Sequence, residues 1–365
     1  MSDRPPSGVL AGVDWLASDR PTLRSWWLMA GARARRTSLI GVVIGLVISG
    51  LALAGVLSWA GWKPVLAALQ QIEPVYLLLA IGVFLVSMLA RGVAWWLLLT
   101  RSVSLGRTLA TLNEGYLLNN LLPWRLGELG RAVLLGRQPG MSTLRVLSTI
   151  VIERTYDIIL GTTLLLAMLP VVLRLDWASR AAAIWGGAVL LALFVLWLLV
   201  HYAGSIEGWI GMRFPNPQVW QARWHRVHSG LAALESPSLL IGSFSAMALS
   251  WILAGVVYWL VLRSVHPAPG WSWAYLMLAA TALGAAVPAA PGSIGVFEAA
   301  AVAALSAFGV PAGTALAAAL VLHAMVYVIT VGIGAVALVR DGSTLQGIYQ
   351  DVVGWIGRRQ QVEGP

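Results

Sequence analysis

Asn119-Asn120-Leu121-Leu122-Pro123-Trp124-Arg125-Leu126-Gly127-Glu128-Leu129-Gly130-Arg131 places two amides, two arginines, a carboxylate, a proline and two glycines inside otherwise membrane-like sequence. Hydrocarbon accepts broken backbone and charge only where protein or a water-filled cavity surrounds them. The stretch is therefore a candidate site rather than a connecting loop. About 165 residues further on the chain repeats the theme with Pro288-Ala289-Ala290-Pro291-Gly292-Ser293-Ile294-Gly295-Val296-Phe297-Glu298. One break in each half of a membrane protein is the sequence pointer to a transporter-type site near the bilayer midplane.

Composition supports the membrane assignment. The 365 residues are 59% hydrophobic and only 11% charged, where a soluble domain carries about 25% charged residues. Cysteine is absent, which excludes disulfides, thiolate metal sites and cysteine nucleophiles. The net charge of +9 comes from arginine with one lysine, Lys63. Codon bias and membrane orientation account for this excess better than nucleic-acid binding does. The 19 tryptophans suit interfacial belts. No cleavable signal peptide is evident, so the first apolar run is expected to anchor.

A transmembrane helix needs about 20 mostly apolar residues. Six runs qualify: 38–60, 75–99, 146–172, 178–203, 237–262 and 312–339. The segments 106–137 and 271–308 are interrupted at the two clusters and are expected to form re-entrant hairpins or pairs of short crossings. The predicted fold is thus an all-α polytopic membrane protein with six long helices and two broken hairpins. An arm, 1–37, precedes it, whose segment 24–36 with Trp26 and Trp27 reads either as an interfacial helix or, preferably, as a solvated, lipid-facing surface, and a tail, 341–365, follows.

Orientation follows from basic residues flanking the spans. Arg4, Arg20, Arg24, Arg33, Arg35, Arg36, Arg101, Arg107, Arg213, Arg223, Arg226, Arg340, Arg358 and Arg359 fall on one side, against Lys63, Arg174, Arg180 and Arg263 on the other. Both termini are predicted to be cytoplasmic. The halves 38–172 and 178–340 then share the order span, span, hairpin, span with opposite orientation, an inverted repeat. A cytoplasmic surface segment, 204–236, is inserted in the second half.

At the first break Asn113, Tyr116 and Asn120 share a helical face, Pro123 stops the helix, and Gly127 allows close backbone approach. The returning half-helix turns free N–H groups and its positive dipole end inward, which suits a phosphate or carboxylate. Arg125 adds a two-pronged phosphate donor. Glu128 and Arg131, one turn apart, are expected to pair. The charges of this break either grip a ligand or form a self-satisfied ion network, and Asn119 and Asn120 either cap or bridge the broken backbone.

On the next span Glu153, Arg154 and Asp157 form an intramembrane triplet that must face inward. It either balances Arg125 and Arg131 or relays protons. At the second break Ser293 is the expected N-cap of a half-helix ending near Phe308. Glu298 sits in that half-helix without a nearby arginine, as a candidate proton acceptor, and His323 is a candidate partner for it. Glu114 and Arg91 are inward-facing residues whose partners the sequence does not name.

Three motifs carry a resemblance: Asn120-x-x-Pro123-x-Arg125-x-Gly127-Glu128-x-x-Arg131, Glu153-Arg154-x-x-Asp157, and Pro291-Gly292-x-x-Gly295-x-x-Glu298. In this order the chain resembles the lysylphosphatidylglycerol synthase transmembrane region family, the flippase-like domain proteins, across about 38–340. The resemblance implies a lipid translocase of the bacterial inner membrane, with membrane lipids as partners and no cofactor, metal or catalytic residue. Bifunctional members move an aminoacylated phospholipid, and stand-alone members are linked to glycolipid or polyprenyl-phosphate-linked sugar pathways. The chain ends about 25 residues after its last span, so it resembles a stand-alone member without the aminoacyl-transferase domain. His323 stands where the family often carries arginine.

The function expected first is a lipid flippase for an anionic headgroup, held by Arg125, Arg131 and the half-helix ends, with possible proton coupling through Glu298, Glu153 or Asp157. The alternatives are an intramembrane enzyme acting on a lipid-linked phosphate and a secondary transporter of a soluble organic anion. No G-x-x-x-x-G-K-[ST] motif is present, which argues against direct nucleotide drive.

Overall fold

A computed structural model describes residues 43–122, 126–173, 217–284 and 289–362, with scattered positions between 180 and 213. The arm and its expected interfacial helix, Pro123, Arg125 and Pro288 lie outside the described residues, as does most of the expected span 178–203. The packing below concerns Gly45–Pro365, one of two units into which the chain divides.

The described residues are helical, without strands. Helix α1, Val43–Ala60, ends at Gly61, whose φ of 70° turns the chain into a short helix α2, Trp62–Gln70. Helix α3, Pro74–Leu98, starts with proline in its first turn, where the missing N–H costs nothing. Ser104 caps α4, Leu105–Leu121, by accepting the Arg107 amide at 3.2 Å. The chain resumes in α5, Gly127–Gly136, and continues into α6, Thr143–Leu173. Then follow α7, Pro217–Leu231, and α8, Pro237–Val265, which again begins at a proline. The second interrupted segment contains α9, Trp271–Gly284, a 3-10 turn at Pro291–Ser293, and α10, Val296–Ser306. Helices α11, Ala312–Arg340, and α12, Leu345–Val362, complete the order.

Among the described residues four helices, α1, α3, α8 and α11, are long and apolar enough to cross a membrane. Helix α6 is longer than any of these at 31 residues, but its first half carries Arg145, Glu153, Arg154 and Asp157. Leu46, Val47 and Leu51 on α1, Leu78, Leu79 and Val86 on α3, and Val328 and Val336 on α11 are exposed. Such apolar faces would precipitate a soluble protein and are suited to lipid.

Helices α3 and α8 pack antiparallel. The Glu73 amide donates to the Ser264 carbonyl at 2.9 Å near one end, and Ser87 Oγ donates to the Ser250 carbonyl at 3.0 Å further along. Small polar residues let transmembrane helices approach closely and bond across the interface. Several other pairings are reciprocal: α4 packs on α11 as α9 packs on α6, α5 on α6 as α10 on α11, and α2 on α11 as α7 on α6. Within each break the flanking helices also pack together, α4 with α5 and α9 with α10.

Buried Met277, Leu305 and Leu316 belong to one core cluster, and Trp95, Leu112, Leu135 and Met247 to another. A third joins Leu117, Leu118 and Leu338 to Ile348 and Val352 of α12. The tail therefore contains a docked amphipathic helix, which the sequence reading as a plain tail did not anticipate. Helix α2 is likewise an addition, lying where only a connection was expected.

Glycines set the closest approach. A side chain at Gly115 of α4 would meet Cγ of Arg131 at 2.5 Å, so the α4–α5 pair closes only around glycine. Gly82 of α3 faces open space. Gly115→Leu is expected to destabilise the protein by about 1–3 kcal/mol through overpacking, while Gly82→Leu leaves stability within about 0.5 kcal/mol. Unfolding of the two variants in detergent micelles measures this difference.

Candidate functional site

The first break is held from its own flanks. Asn119 Oδ1 accepts the Gly127 amide at 2.8 Å, tying the end of α4 to the first residue of α5. A side chain at Gly127 would meet that same Oδ1 at 2.6 Å, so glycine is needed there for the approach. Asn120 instead reaches across, donating from Nδ2 to Thr330 Oγ1 on α11 at 2.9 Å.

The charges of α5 do not pair locally. Glu128 and Arg131 satisfy the one-turn rule, yet Arg131 Nη1 bonds Glu153 Oε2 at 3.0 Å and Glu128 Oε1 takes Arg154 Nη2 at 3.0 Å. The expected Glu128–Arg131 pair is thus replaced by two bridges to α6, because α6 runs alongside and offers an acid and a base at matching heights. Arg131 is also stacked over Trp95 of α3, with its guanidinium carbon 4.6 Å from the ring centre. Gly115 leaves the room through which its stem passes.

Arg91 of α3 supplies the charge that sequence reasoning left without a partner. Its guanidinium grips Asp157 in two-pronged fashion and lies 3.8 Å from Glu153 Oε1. Asp157 further accepts from Arg154 Nη1 at 3.0 Å and from Trp251 Nε1 of α8 at 3.1 Å. Three arginines and three carboxylates, Arg91, Arg131, Arg154, Glu128, Glu153 and Asp157, therefore form one electroneutral network joining α3, α5 and α6. Glu153 is completely buried. Arg131 Nη2 and Arg154 Nε are buried without a hydrogen-bond partner, so donors remain to spare.

The described part of the second break, from Ala289 onward, is bonded to three helices. Ser49 Oγ of α1 accepts the Ala290 amide at 2.8 Å. Gly292, Ser293 and Gly295 all have positive φ, at 72°, 59° and 88°. Helix α10 begins at Val296, later than a Ser293 cap would require. Its N-cap is Gly295, and Glu298 Oε2 in the first turn accepts the Gly295 amide at 2.6 Å. The expected Ser293 cap is thereby corrected: with its left-handed backbone Ser293 belongs to the preceding 3-10 turn. His323 of α11 bridges the carboxylate and the broken backbone, with Nδ1 2.6 Å from Glu298 Oε1 and Nε2 2.9 Å from the Gly292 carbonyl.

The two breaks lie against one another. A side chain built on Gly292 would stand 3.8 Å from the Asn120 carbonyl and 3.1 Å from Tyr327. Helix α4 packs against the Pro291–Ser293 turn directly. Asn120, Gly292, Gly295, Glu298 and His323 are therefore brought together from distant sequence, and Gly127 is tied to the same end of α4 through Asn119. Glu128, Arg131, Glu153, Arg154 and Asp157 form the adjoining charged network.

Further out, a polar cavity of about 230 Å³ is lined by Arg107, Leu134, Arg137, Gln138, Asp341 and Ser343. Arg107 pairs there with Asp341, and Arg137 pairs with Asp351 of α12. Behind Arg107, at 3.9 Å, sits Glu114, fully buried with neither oxygen hydrogen-bonded. Glu114 and Arg107 are seven residues apart on α4, a spacing that puts them on one face and is the only sign of this pair in the sequence.

Helices interrupted inside an apolar bundle, with backbone amides, histidine and paired charges gathered at the interruptions, define a helical membrane protein with a polar interior. The chain matches the family described as the lysylphosphatidylglycerol synthase TM region over residues 42–334, and it belongs to that family. No curated protein and no solved structure matches it.

The burial gradient across the network predicts a ranking. Removing one partner of a buried pair costs about 3–5 kcal/mol, whereas an exposed pair contributes about 1 kcal/mol or less. Glu153→Gln is therefore expected to lose several times the stability lost by Glu128→Gln, whose bridge to Arg154 is partly exposed. Equilibrium unfolding of both variants in micelles provides the comparison.

Proposed function

We propose that this protein moves an anionic, phosphate-bearing lipid between the leaflets of a bacterial inner membrane by alternating access. The cargo class is a phospholipid, a glycolipid or a polyprenyl-phosphate-linked lipid. The observation that carries this reading is the meeting of the two helix breaks, Gly292 against Asn120, in a bundle whose outer faces are apolar. A headgroup passing that place exchanges water for backbone amides and side-chain donors while its tails stay in lipid.

The reciprocal helix pairings support an inverted repeat of six spans and two re-entrant hairpins, since the main contacts of α4, α5 and α6 have counterparts in those of α9, α10 and α11. In this arrangement the termini are cytoplasmic. Arg107 and Arg137 border the polar cavity and are paired with Asp341 and Asp351, residues that follow the last span. Arg263 pairs with Glu73 on the opposite connections. That grouping agrees with the distribution of basic residues. The cavity offers a cytoplasmic landing place for an anionic headgroup, and Arg131 and Arg154 offer the donors beyond it.

Translocation is tested in vesicles containing the purified protein and a fluorescent phosphatidylglycerol bleached from outside with dithionite. Inner-leaflet probe is expected to become accessible at least about tenfold faster than in protein-free vesicles, a difference of roughly 1.4 kcal/mol in barrier. Rates equal to those of empty vesicles contradict the function. Lipid mass spectrometry of the purified protein identifies the cargo. Arg125→Ala is expected to lose one co-purifying phosphate-bearing lipid by about tenfold, and equal recovery from both proteins removes Arg125 as its anchor.

A further inference from the structure

The contacts around His323 determine how many protons they hold. The Gly292 carbonyl can only accept, so Nε2 of His323 must carry a hydrogen and donate it. The Gly295 amide can only donate, so Glu298 Oε2 is occupied as an acceptor. What remains is the 2.6 Å contact between Nδ1 and Oε1, which requires one proton whether it resides on the ring or on the carboxyl. Without that proton two lone pairs, one of them on an anion, oppose each other at a site where Glu298 is only 2% exposed. Little water is available to screen that repulsion.

Among the described residues the surroundings leave this charge change to the dyad itself. Phe297 covers the imidazole at 4.5 Å between ring centres. Tyr327 lies one turn away on α11 and against Gly292. Helix α10 carries no ionisable group besides Glu298, and the Gly45–Ala60 part of α1 carries none. Helices α2 and α9 bring Lys63 and Tyr275, the latter bonded to the Ile252 carbonyl. On α8 Tyr258 is engaged by Thr281 and Arg263 by Glu73. On α4 Arg107 is engaged by Asp341, with Glu114 behind it, and Tyr116 lies toward the α3–α6 network.

We propose that Glu298 and His323 form a single proton-binding site whose occupancy locks the second break against α11. With the proton bound, His323 holds the Gly292 carbonyl and Glu298 holds the Gly295 amide, so both ends of the left-handed turn are fixed. Release of the proton leaves a net negative charge and a repulsive contact, and the turn parts from α11. Because Gly292 rests against Asn120, that parting opens the place where the breaks meet. Used in this way the site couples proton movement to lipid movement, a role that rests on the translocation reading, whereas the lock itself does not.

Amide hydrogen exchange of residues 289–299 in micelles, expressed as protection factors to remove the intrinsic pH effect, tests the lock. One linked proton changes an equilibrium by up to about tenfold per pH unit. Protection in the parent protein is expected to fall at least about tenfold from the acid to the alkaline end of the pH range over which the protein stays folded. Glu298→Gln is the informative variant: its amide N–H donates to Nδ1 and its oxygen accepts from Gly295, mimicking the loaded dyad with no proton to lose. It is expected to stay protected across the range, whereas His323→Ala is unprotected throughout. A parent protein whose protection is independent of pH, or a Glu298→Gln variant that follows the parent, overturns the proposal. The same proteins in phosphatidylglycerol-probe vesicles under an imposed pH gradient separate the lock from the function. Parent protein that moves lipid but ignores the gradient overturns the coupling and leaves translocation standing. pH-switched protection without lipid movement supports the proton site and overturns translocation.

Discussion

One constraint organises the described region around the breaks: backbone groups released where a helix breaks inside an apolar bundle must find partners in the protein itself. The second break meets it with Ser49 on the Ala290 amide, Glu298 on the Gly295 amide and His323 on the Gly292 carbonyl. The first meets it with Asn119 on the Gly127 amide. These partners come from α1, α4, α10 and α11, so satisfying the breaks draws four helices to one place. The glycines follow from that crowding, since a side chain at Gly295 would strike the backbone of Ser49.

The charged network is the second consequence. Ions in a membrane interior carry a desolvation cost of several kcal/mol each, met only by pairing and hydrogen bonding. Arg91, Arg131 and Arg154 balance Glu128, Glu153 and Asp157, and Trp95 and Trp251 add a ring face and an indole donor. The balance lets polar groups accumulate beside the first break without leaving a net charge in lipid. It also leaves unused donors on Arg131 and Arg154.

The helix interruptions were legible in the sequence because proline and glycine act on the backbone wherever they stand, and both breaks fall at those clusters. The inward turn of Glu153 followed from the cost of placing its charge in lipid. The exact partners were not legible. Glu128 and Arg131 obey a helix-surface rule, but tertiary packing placed Arg154 and Glu153 nearer to each. Arg91 is distant in sequence from Asp157, and no local pattern joins them. Ser293 looked like a cap because serine favours that position, yet Gly292 and Gly295 permit a left-handed turn that delays the helix. Helix α12 carries Ile348 and Val352 one turn apart, a signal too short to stand out beside the long apolar runs.

The chain has no cysteine, so paired cysteines can be introduced without further changes. Asn120→Cys combined with Gly292→Cys, treated in membranes with a short bifunctional thiol reagent, tests whether the two breaks meet. Efficient intramolecular cross-linking is predicted, well above that of Asn120→Cys combined with Lys63→Cys. Equal, background-level cross-linking of both pairs would contradict the shared meeting place on which the functional account is built.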